Sequence, residues 1–207
     1  MSGVVARPST LLKLVLALAA LALVAAATQL VPNQHAFRPL AASAATGGDP
    51  IYMQYGTIQG DVTASGHEHW IEVDSFQWGI GRSISSPTGG TANREASVPS
   101  VSEIKITKPT DSSSPLLFKE ALNGEGQTVV IDFVKTGPNG QQTVYLQFTL
   151  TNTLVSGFSM SSGGDRPTES LSLNFTKVQY KFNTTDTATG AISSVSVTYD
   201  LATQIVS

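Results

Sequence analysis

Trp70-Ile71-Glu72-Val73-Asp74-Ser75-Phe76-Gln77-Trp78-Gly79-Ile80-Gly81 holds both tryptophans of the chain and reads as a strand. Ile71 and Val73 put apolar side chains on one face. Phe76, Trp78 and Ile80 carry theirs on the opposite parity. Side chains alternate faces along a strand, so a change of parity needs a bulge, a bend, or burial on both sides. A break near Asp74-Ser75 would let one long strand serve two sheets. Aromatic side chains dominate core energetics, so the stretch is expected at the centre of a β core. Gly79 and Gly81 favour a tight bend beside it.

Outward from this stretch, the rest of the chain is also β in pattern. Ile51, Met53 and Tyr55 alternate in a strand expected over residues 51–58, and Ile104 and Ile106 alternate in one over 101–107. Val129, Ile131 and Phe133 lead into Thr136-Gly137-Pro138-Asn139-Gly140, where Asn-Gly is a strong hairpin signal. The return strand has Val144, Leu146, Phe148 and Leu150 on one parity. It continues past a bend through Leu154 to Met160. Residues 168–182 read as one long strand: Leu171, Leu173 and Phe175 share one parity, Val178, Tyr180 and Phe182 the other, which places a second bulge near Thr176-Lys177. Val195, Val197, Tyr199 and Leu201 form the closing strand. One helix is punctuated: Ser114 as N-cap, Pro115 in the first turn, an apolar stripe of Leu117, Phe118, Ala121 and Leu122, and Gly124 in a left-handed cap. It is too short to stand alone and must dock on the sheets. About eight strands and one helix predict a mainly all-β fold, a β-barrel or sandwich of two antiparallel sheets with one short α-helix docked at the side.

Residues 1–45 differ from the remainder, and the domain division is 1–45 and 46–207. Arg7 gives a positive start, and Leu14 to Ala27 has no polar residue. That length fits a signal-peptide core and is short for a bilayer span of about 20 residues. Cleavage sites are expected at Ala27 or Ala44, within Ala25-Ala26-Ala27 or Ala42-Ser43-Ala44. An uncleaved anchor is the alternative. Residues 32–50 read as linker.

Composition excludes several functions. The net charge of −3 and the absence of a basic run argue against nucleic acid. With no cysteine, disulfides, thiolate catalysis and thiolate zinc sites are out. Charged residues make up only 13%, which suits a hydrogen-bonding surface that packs against copies of itself. His67 and His69, two apart, would project from one strand face and are weak metal candidates lacking a third ligand. The carboxylates Asp132, Asp165, Glu169 and Asp200 form no pair placed for acid–base work, and no Gly-x-Ser-x-Gly elbow or phosphate-cradling loop is present. Catalytic residues and cofactors are therefore expected to be none. Asn174 and Asn183 head glycosylation-type triplets, a pattern that arises often by chance. The long loop Ser83–Ala96 carries Ser85-Ser86-Pro87-Thr88-Gly89-Gly90-Thr91, which cannot bury itself; loops of such length are usually functional or disordered.

The chain resembles the Hcp family (haemolysin-coregulated protein). The resemblance rests on His67-x-x-Trp70-Ile71-Glu72-Val73 followed by Ser75-Phe76-Gln77-Trp78-Gly79. It extends through Ile104-Lys105-Ile106-Thr107-Lys108, Asp111 and Ser114-Pro115-Leu116-Leu117-Phe118. Val155-Ser156-Gly157-Phe158, Gly164-Asp165, Pro167 to Phe175 and Val178-x-Tyr180 follow in the same order. It implies a barrel of two sheets with one helix, no catalytic residues, hexameric rings that stack into the inner tube of a type VI secretion machine, and secreted effectors and other secretion components as partners, with no membrane contact for residues 46–207. The resemblance also implies loading from the cytoplasm, against which residues 1–45 stand out as export-like. The Ser85–Thr91 run is the expected ring- or tube-assembly arm. The competing expectation is an exported module of the same fold that binds a glycan or peptide through exposed Tyr52, Tyr55 or Tyr145.

Overall fold

The structure, a computed structural model, describes residues 49–84, 96–137, 140–186 and 189–207. In chain order the elements are β1 (Ile51–Tyr55), β2 (Ile71–Val73), β3 (Ser75–Gln77), β4 (Ile80–Gly81), β5 (Ser100–Val101), β6 (Ile104–Pro109), α1 (Ser114–Asn123), β7 (Gln127–Thr136), β8 (Gln142–Ser161), β9 (Thr168–Asn174), β10 (Lys177–Thr185), β11 (Ile192–Asp200) and β12 (Ile205–Val206). All pairings are antiparallel. One sheet runs β12-β11-β10-β8-β7-β1-β2, and a second joins β3, β6 and β9 to β8.

The parity change at Asp74 is where the tryptophan stretch leaves one sheet for the other. β2 pairs β1, with Val73 opposite Ile51. β3 pairs β6, with Phe76 opposite Ile106. Between them the Asp74 N–H donates to the Thr107 carbonyl at 2.8 Å. The two short strands therefore close a barrel through β8, β7, β1, β2, β3, β6, β9 and back to β8. The stretch lies in the core as expected and serves both sheets, as the last strand of each, so that it forms the seam. Its burial comes from closure, with Ile71 and Val73 inside and Phe76 and Trp78 packed against the core.

β8 makes closure possible. Its first half pairs β7 and β10, and its second half pairs β9. Asn152, with φ of 53°, sits where it changes sheets. The region read as one strand over 168–182 does the same: β9 ends at Asn174, and β10 begins at Lys177 in the other sheet. Two strands replace the expected bulge. The first strand stops early, at Tyr55, because Gly56 takes φ of 52°. The hairpin stands as expected, with Gly137 N–H bonded to the Gln141 carbonyl at 2.8 Å and Gly140 at φ of 72°; Pro138 and Asn139 lie outside the described residues.

Inside the barrel, Met53, Ile71, Ile104, Ile106, Ile131, Phe148, Leu150, Leu171 and Leu173 form one cluster, each burial worth about 1.5–3 kcal/mol. α1 adds Leu117, fully buried, while Leu122 stays exposed. Two helix-end expectations are corrected. The N-cap is Ser113, whose hydroxyl donates to Asp111 Oδ1 and makes no cap bond, while Ser114 is the first helical residue and its hydroxyl accepts from Lys108 Nζ and the Asp111 N–H. Gly124 is extended, at φ −83° and ψ 157°, not left-handed. Glycine is needed there for room: a Cβ would lie 2.5 Å from the Glu120 carbonyl oxygen.

Candidate functional site

Residues 56–70 form no strand. They fold into turns over the outer side of β1, held by Gly60 N–H to the His69 carbonyl at 2.8 Å and Val62 N–H to the Trp70 carbonyl at 3.1 Å. The expectation that His67 and His69 share a strand face is thereby corrected. His67 is buried, its ring against Tyr52 at 4.9 Å and Trp70 at 4.7 Å. Its Nε2 lies 2.9 Å from the Asp132 carboxylate, which also accepts from Gln147 Nε2 at 2.8 Å. His69 is exposed, at φ of 66°. Among the described residues no group of three or more His, Asp or Glu is placed to hold a metal. The His67–Asp132 pair pins a loop to a sheet, and among the described residues no hydroxyl bonds the buried Nδ1 to become a nucleophile with His67 as its base.

A second buried polar centre lies where β6, β9 and α1 meet. Lys108 is fully buried. Its ammonium donates to the Pro109 carbonyl at 2.8 Å, Asp111 Oδ1 at 2.8 Å, Ser114 Oγ at 3.2 Å and Glu169 Oε2 at 3.0 Å. Burial raises the Asp111 carboxyl, but hydrogen bonds from Lys108 and Ser113 outweigh it and hold the group below the usual range. An ammonium saturated by four oxygens is no nucleophile, so the geometry is that of a clasp tying two strands to the helix start. Of the other scattered carboxylates, Asp165 is exposed, and Asp200 pairs Lys177 at 3.2 Å.

The tyrosines offered as a ligand platform are also corrected. Tyr55 is fully buried and Tyr52 nearly so. The Tyr55 hydroxyl donates to the Thr153 carbonyl at 3.1 Å, and burial, with Glu120 adding to it, pushes its pKa up to about 12. Tyr145 is half-buried against Phe133 and Phe182. Tyr55 points into the core from β1, Tyr52 on the opposite parity lies under the His67 loop, and Tyr145 belongs to β8.

What the surface does offer is apolar. The barrel-lining face of β8 continues over β10 and β11: Phe148 faces Tyr180, Leu146 faces Phe182, and those face Val197 and Val195. Phe148 packs edge-on to Tyr180 at 5.1 Å. Tyr145 meets Phe182 edge-on at 6.4 Å, and Tyr180, Phe182, Val195, Val197 and Val206 stand 41–73% exposed. A second apolar area joins α1 to the end of β8, where Phe118 meets Phe158 at 5.6 Å and Leu122 and Met160 are exposed. A third is the stem of the long loop. β4 pairs β5, the Ile84–Ala96 bridge extends the ribbon, and Ile80, Ile84 and Val98 are exposed on it. Ser85, Ser86, Pro87, Thr88, Gly89, Gly90 and Thr91 lie outside the described residues, as do Ala27 and Ala44.

This barrel, with full interior and apolar exterior patches, has clear relatives. A family model described as "Type VI secretion system effector, Hcp" matches residues 52–182, well over half of the chain. The chain belongs to the Hcp family. The protein hcp1 of Pseudomonas aeruginosa is 30% identical over 134 residues, covering 64% of this chain and 82% of hcp1. Among solved structures, a type six secretion system protein superposes with a TM-score of 0.69 at 23% identity, covering 77% of this chain and all of the other. Hcp1 from Salmonella typhimurium gives 0.59 at 22%, covering 76% and 98%. At those identities the structures establish the Hcp fold. The motifs that carried the resemblance are packing devices in this Hcp chain. Lys108, Asp111, Ser114 and Glu169 come from separate runs and meet in one clasp; His67 and Trp70 stack. Sequence reasoning missed both polar centres. The available signal was a lysine within the alternating strand 104–107 region, extended by one residue to an inward position.

No helix among the described residues is long and apolar enough to cross a membrane.

Proposed function

We propose that this Hcp protein is a structural, non-enzymatic subunit that associates head to tail into hexameric rings, which stack into the inner tube of a type VI secretion system. The observation that carries the reading is the uncovered extension of the barrel's apolar lining over β10 and β11. A monomer that exposed it permanently would invite aggregation. The outer edge of β11 adds a strand border, with residues 205–207 bonded to it only along Thr198 to Asp200, and such edges need covering. The Ser85–Thr91 run, at the end of the β4–β5 ribbon, reaches a neighbouring ring. The ring lumen carries effectors, and other secretion components contact the tube. Residues 1–45 act as an export signal or anchor followed by a linker, with cleavage at Ala27 or Ala44.

Light scattering and electron microscopy test the assembly. Rings of six are expected at micromolar concentration, and a strict monomer at high concentration refutes the reading. Amino-terminal sequencing of protein from its own host tests the processing; a retained Met1 refutes cleavage.

A further inference from the structure

Separate segments of the chain meet beside the barrel seam around a cavity of about 60 Å³, lined by Asp61, Val62, Glu72, Pro109, Asp111 and Arg166. Asp61 and Val62 come from the loop over β1, Glu72 from β2, Pro109 and Asp111 from the passage between β6 and α1, and Arg166 from the turn before β9. We propose that this cavity binds an alkylammonium group, the end of a lysine side chain on a partner protein or of a free aliphatic amine.

One carboxylate at the cavity is held in place from behind. The Asp111 side chain is only 5% exposed. Its Oδ1 accepts from Lys108 Nζ at 2.8 Å, from the Ser113 N–H at 3.0 Å and from the Ser113 hydroxyl. Oδ2 has no partner among the described residues and is not sealed off as the orphaned buried oxygens elsewhere are, so it is the atom Asp111 offers to the cavity. Burial raises this carboxyl, but its donors outweigh burial and keep it ionised. Glu72 points outward between buried Ile71 and Val73 and has no ion pair among the described residues. Asp61 has only Arg166, at 3.6 Å, with both side chains more than half exposed. Lys108 is shared between Asp111 and Glu169. Three lining carboxylates thus face one lining guanidinium, and the cavity keeps a negative excess.

Shape and walls narrow the ligand further. Val62 and Pro109 give apolar walls against which methylenes can lie while a charged head reaches the carboxylates. The space equals a few water molecules, enough for an ammonium and one or two methylenes and too small for a sugar ring. An anion meets three like charges. A metal ion lacks its ligands, since among the described residues no three His, Asp or Glu are placed to hold one. Arg166, its Nε held by the Thr110 carbonyl at 2.5 Å, is the cation already at the rim and competes with an incoming one.

Calorimetric titration of the full-length protein with an acetylated and amidated Gly-Gly-Lys-Gly-Gly peptide tests the site. The same peptide with norleucine, which lacks only the ammonium, is the control. A dissociation constant of about 1–10 mM is expected, the range open to a fragment that buries a few atoms. It should weaken as salt rises, and the norleucine peptide should bind at least tenfold less tightly. Glu72→Gln should lower the affinity at least threefold. Arg166→Gln, which removes the competitor, should raise it at least threefold. Both side chains are exposed, so far-UV circular dichroism should not change. A five-carbon diamine is the second arm: tighter binding of the peptide assigns the site to a protein lysine, and tighter binding of the diamine to a free amine. Equal binding of the norleucine peptide overturns the proposal, as does no heat from either amine up to about 50 mM, or an affinity that neither variant alters. Light scattering on the same samples separates this site from the ring reading. Rings without amine binding remove the site alone, and amine binding without rings leaves it standing.

Discussion

Replacing Lys108 with methionine tests the buried clasp most directly. The side chain is fully buried, and its ammonium faces Glu169 at 3.0 Å and Asp111 at 2.8 Å, with both carboxylates themselves almost without solvent. Methionine fills the space but leaves two buried carboxylates without their cation. Breaking a buried pair from one side costs about 3–5 kcal/mol, a large part of a typical total of 5–15 kcal/mol. With a urea slope of about 2 kcal/mol/M, the unfolding midpoint should fall by roughly 1.5–2.5 M. Trp70 and Trp78, both on the barrel seam, make intrinsic fluorescence the natural probe. The pH dependence adds a sign. In the native protein the Asp111 carboxyl lies below its unfolded value despite burial, because hydrogen bonds from Lys108 and Ser113 prevail. Its contribution is therefore present above about pH 4 and is lost as pH falls through the lower folded value. Without the ammonium, burial prevails and the folded value rises above the unfolded one. The penalty is then full at neutral pH and fades on acidification. The gap between native and Lys108→Met proteins should thus narrow from pH 7 to pH 4.5. Adding Glu169→Leu should restore at least about 1 kcal/mol, since neutral replacement of a buried pair is often tolerated. A loss below about 1 kcal/mol, or a gap that does not change with pH, refutes the reasoning.

Other perturbations have equally direct readouts. His67→Ala removes the partner of the buried Asp132 and should cost about 2–4 kcal/mol in urea melts, with faster proteolysis within residues 56–70; unchanged cleavage there would contradict the pin. Tyr55 should resist ionisation until about pH 12, so ultraviolet titration should show a late phenol that Tyr55→Phe removes. Because the unfolded phenol ionises near pH 10, stability falls as pH rises from there toward 12, and Tyr55→Phe should abolish that part of the fall. Gly60→Ala would set a Cβ 2.5 Å from the Trp70 carbonyl oxygen and 2.9 Å from Ile71 Cα; backbone cannot yield as a side-chain end does, so a loss of about 1–3 kcal/mol by thermal melting is expected.

What could be read from sequence was what depends on neighbours a few residues apart. The sheet change at Asp74 was legible because alternation is local, and so was the hairpin after Thr136. The break between β9 and β10 was half legible. Parity announced a change of face, but a bulge and a passage to another sheet look alike until the partner strand is known. His67 and Asp132 meet across 65 residues, and Lys108 and Glu169 across 61; nothing local marks either. Exposure was the hardest property. Val195 and Val197 alternate as cleanly as Val129 and Ile131, yet the first pair lies exposed where the lining face runs on past the barrel and the second lies in the core. Alternation fixes which side chains share a face, not whether another layer covers it, and β11 lies outside the closed circuit.

The shared strand β8 also constrains how the chain can acquire its shape. β3 and β6 connect to β8 only through β9. While a ribosome is still translating residues before 168, the amino-terminal strands can join the β7–β8 hairpin on one side only, and the tryptophan seam has no second bank to reach. Barrel closure is thus a late event with long loops to gather, which favours slow folding. Pulse-labelled amide exchange should find β7 and β8 protected before β3 and β6; simultaneous protection would mean that the barrel condenses as one piece.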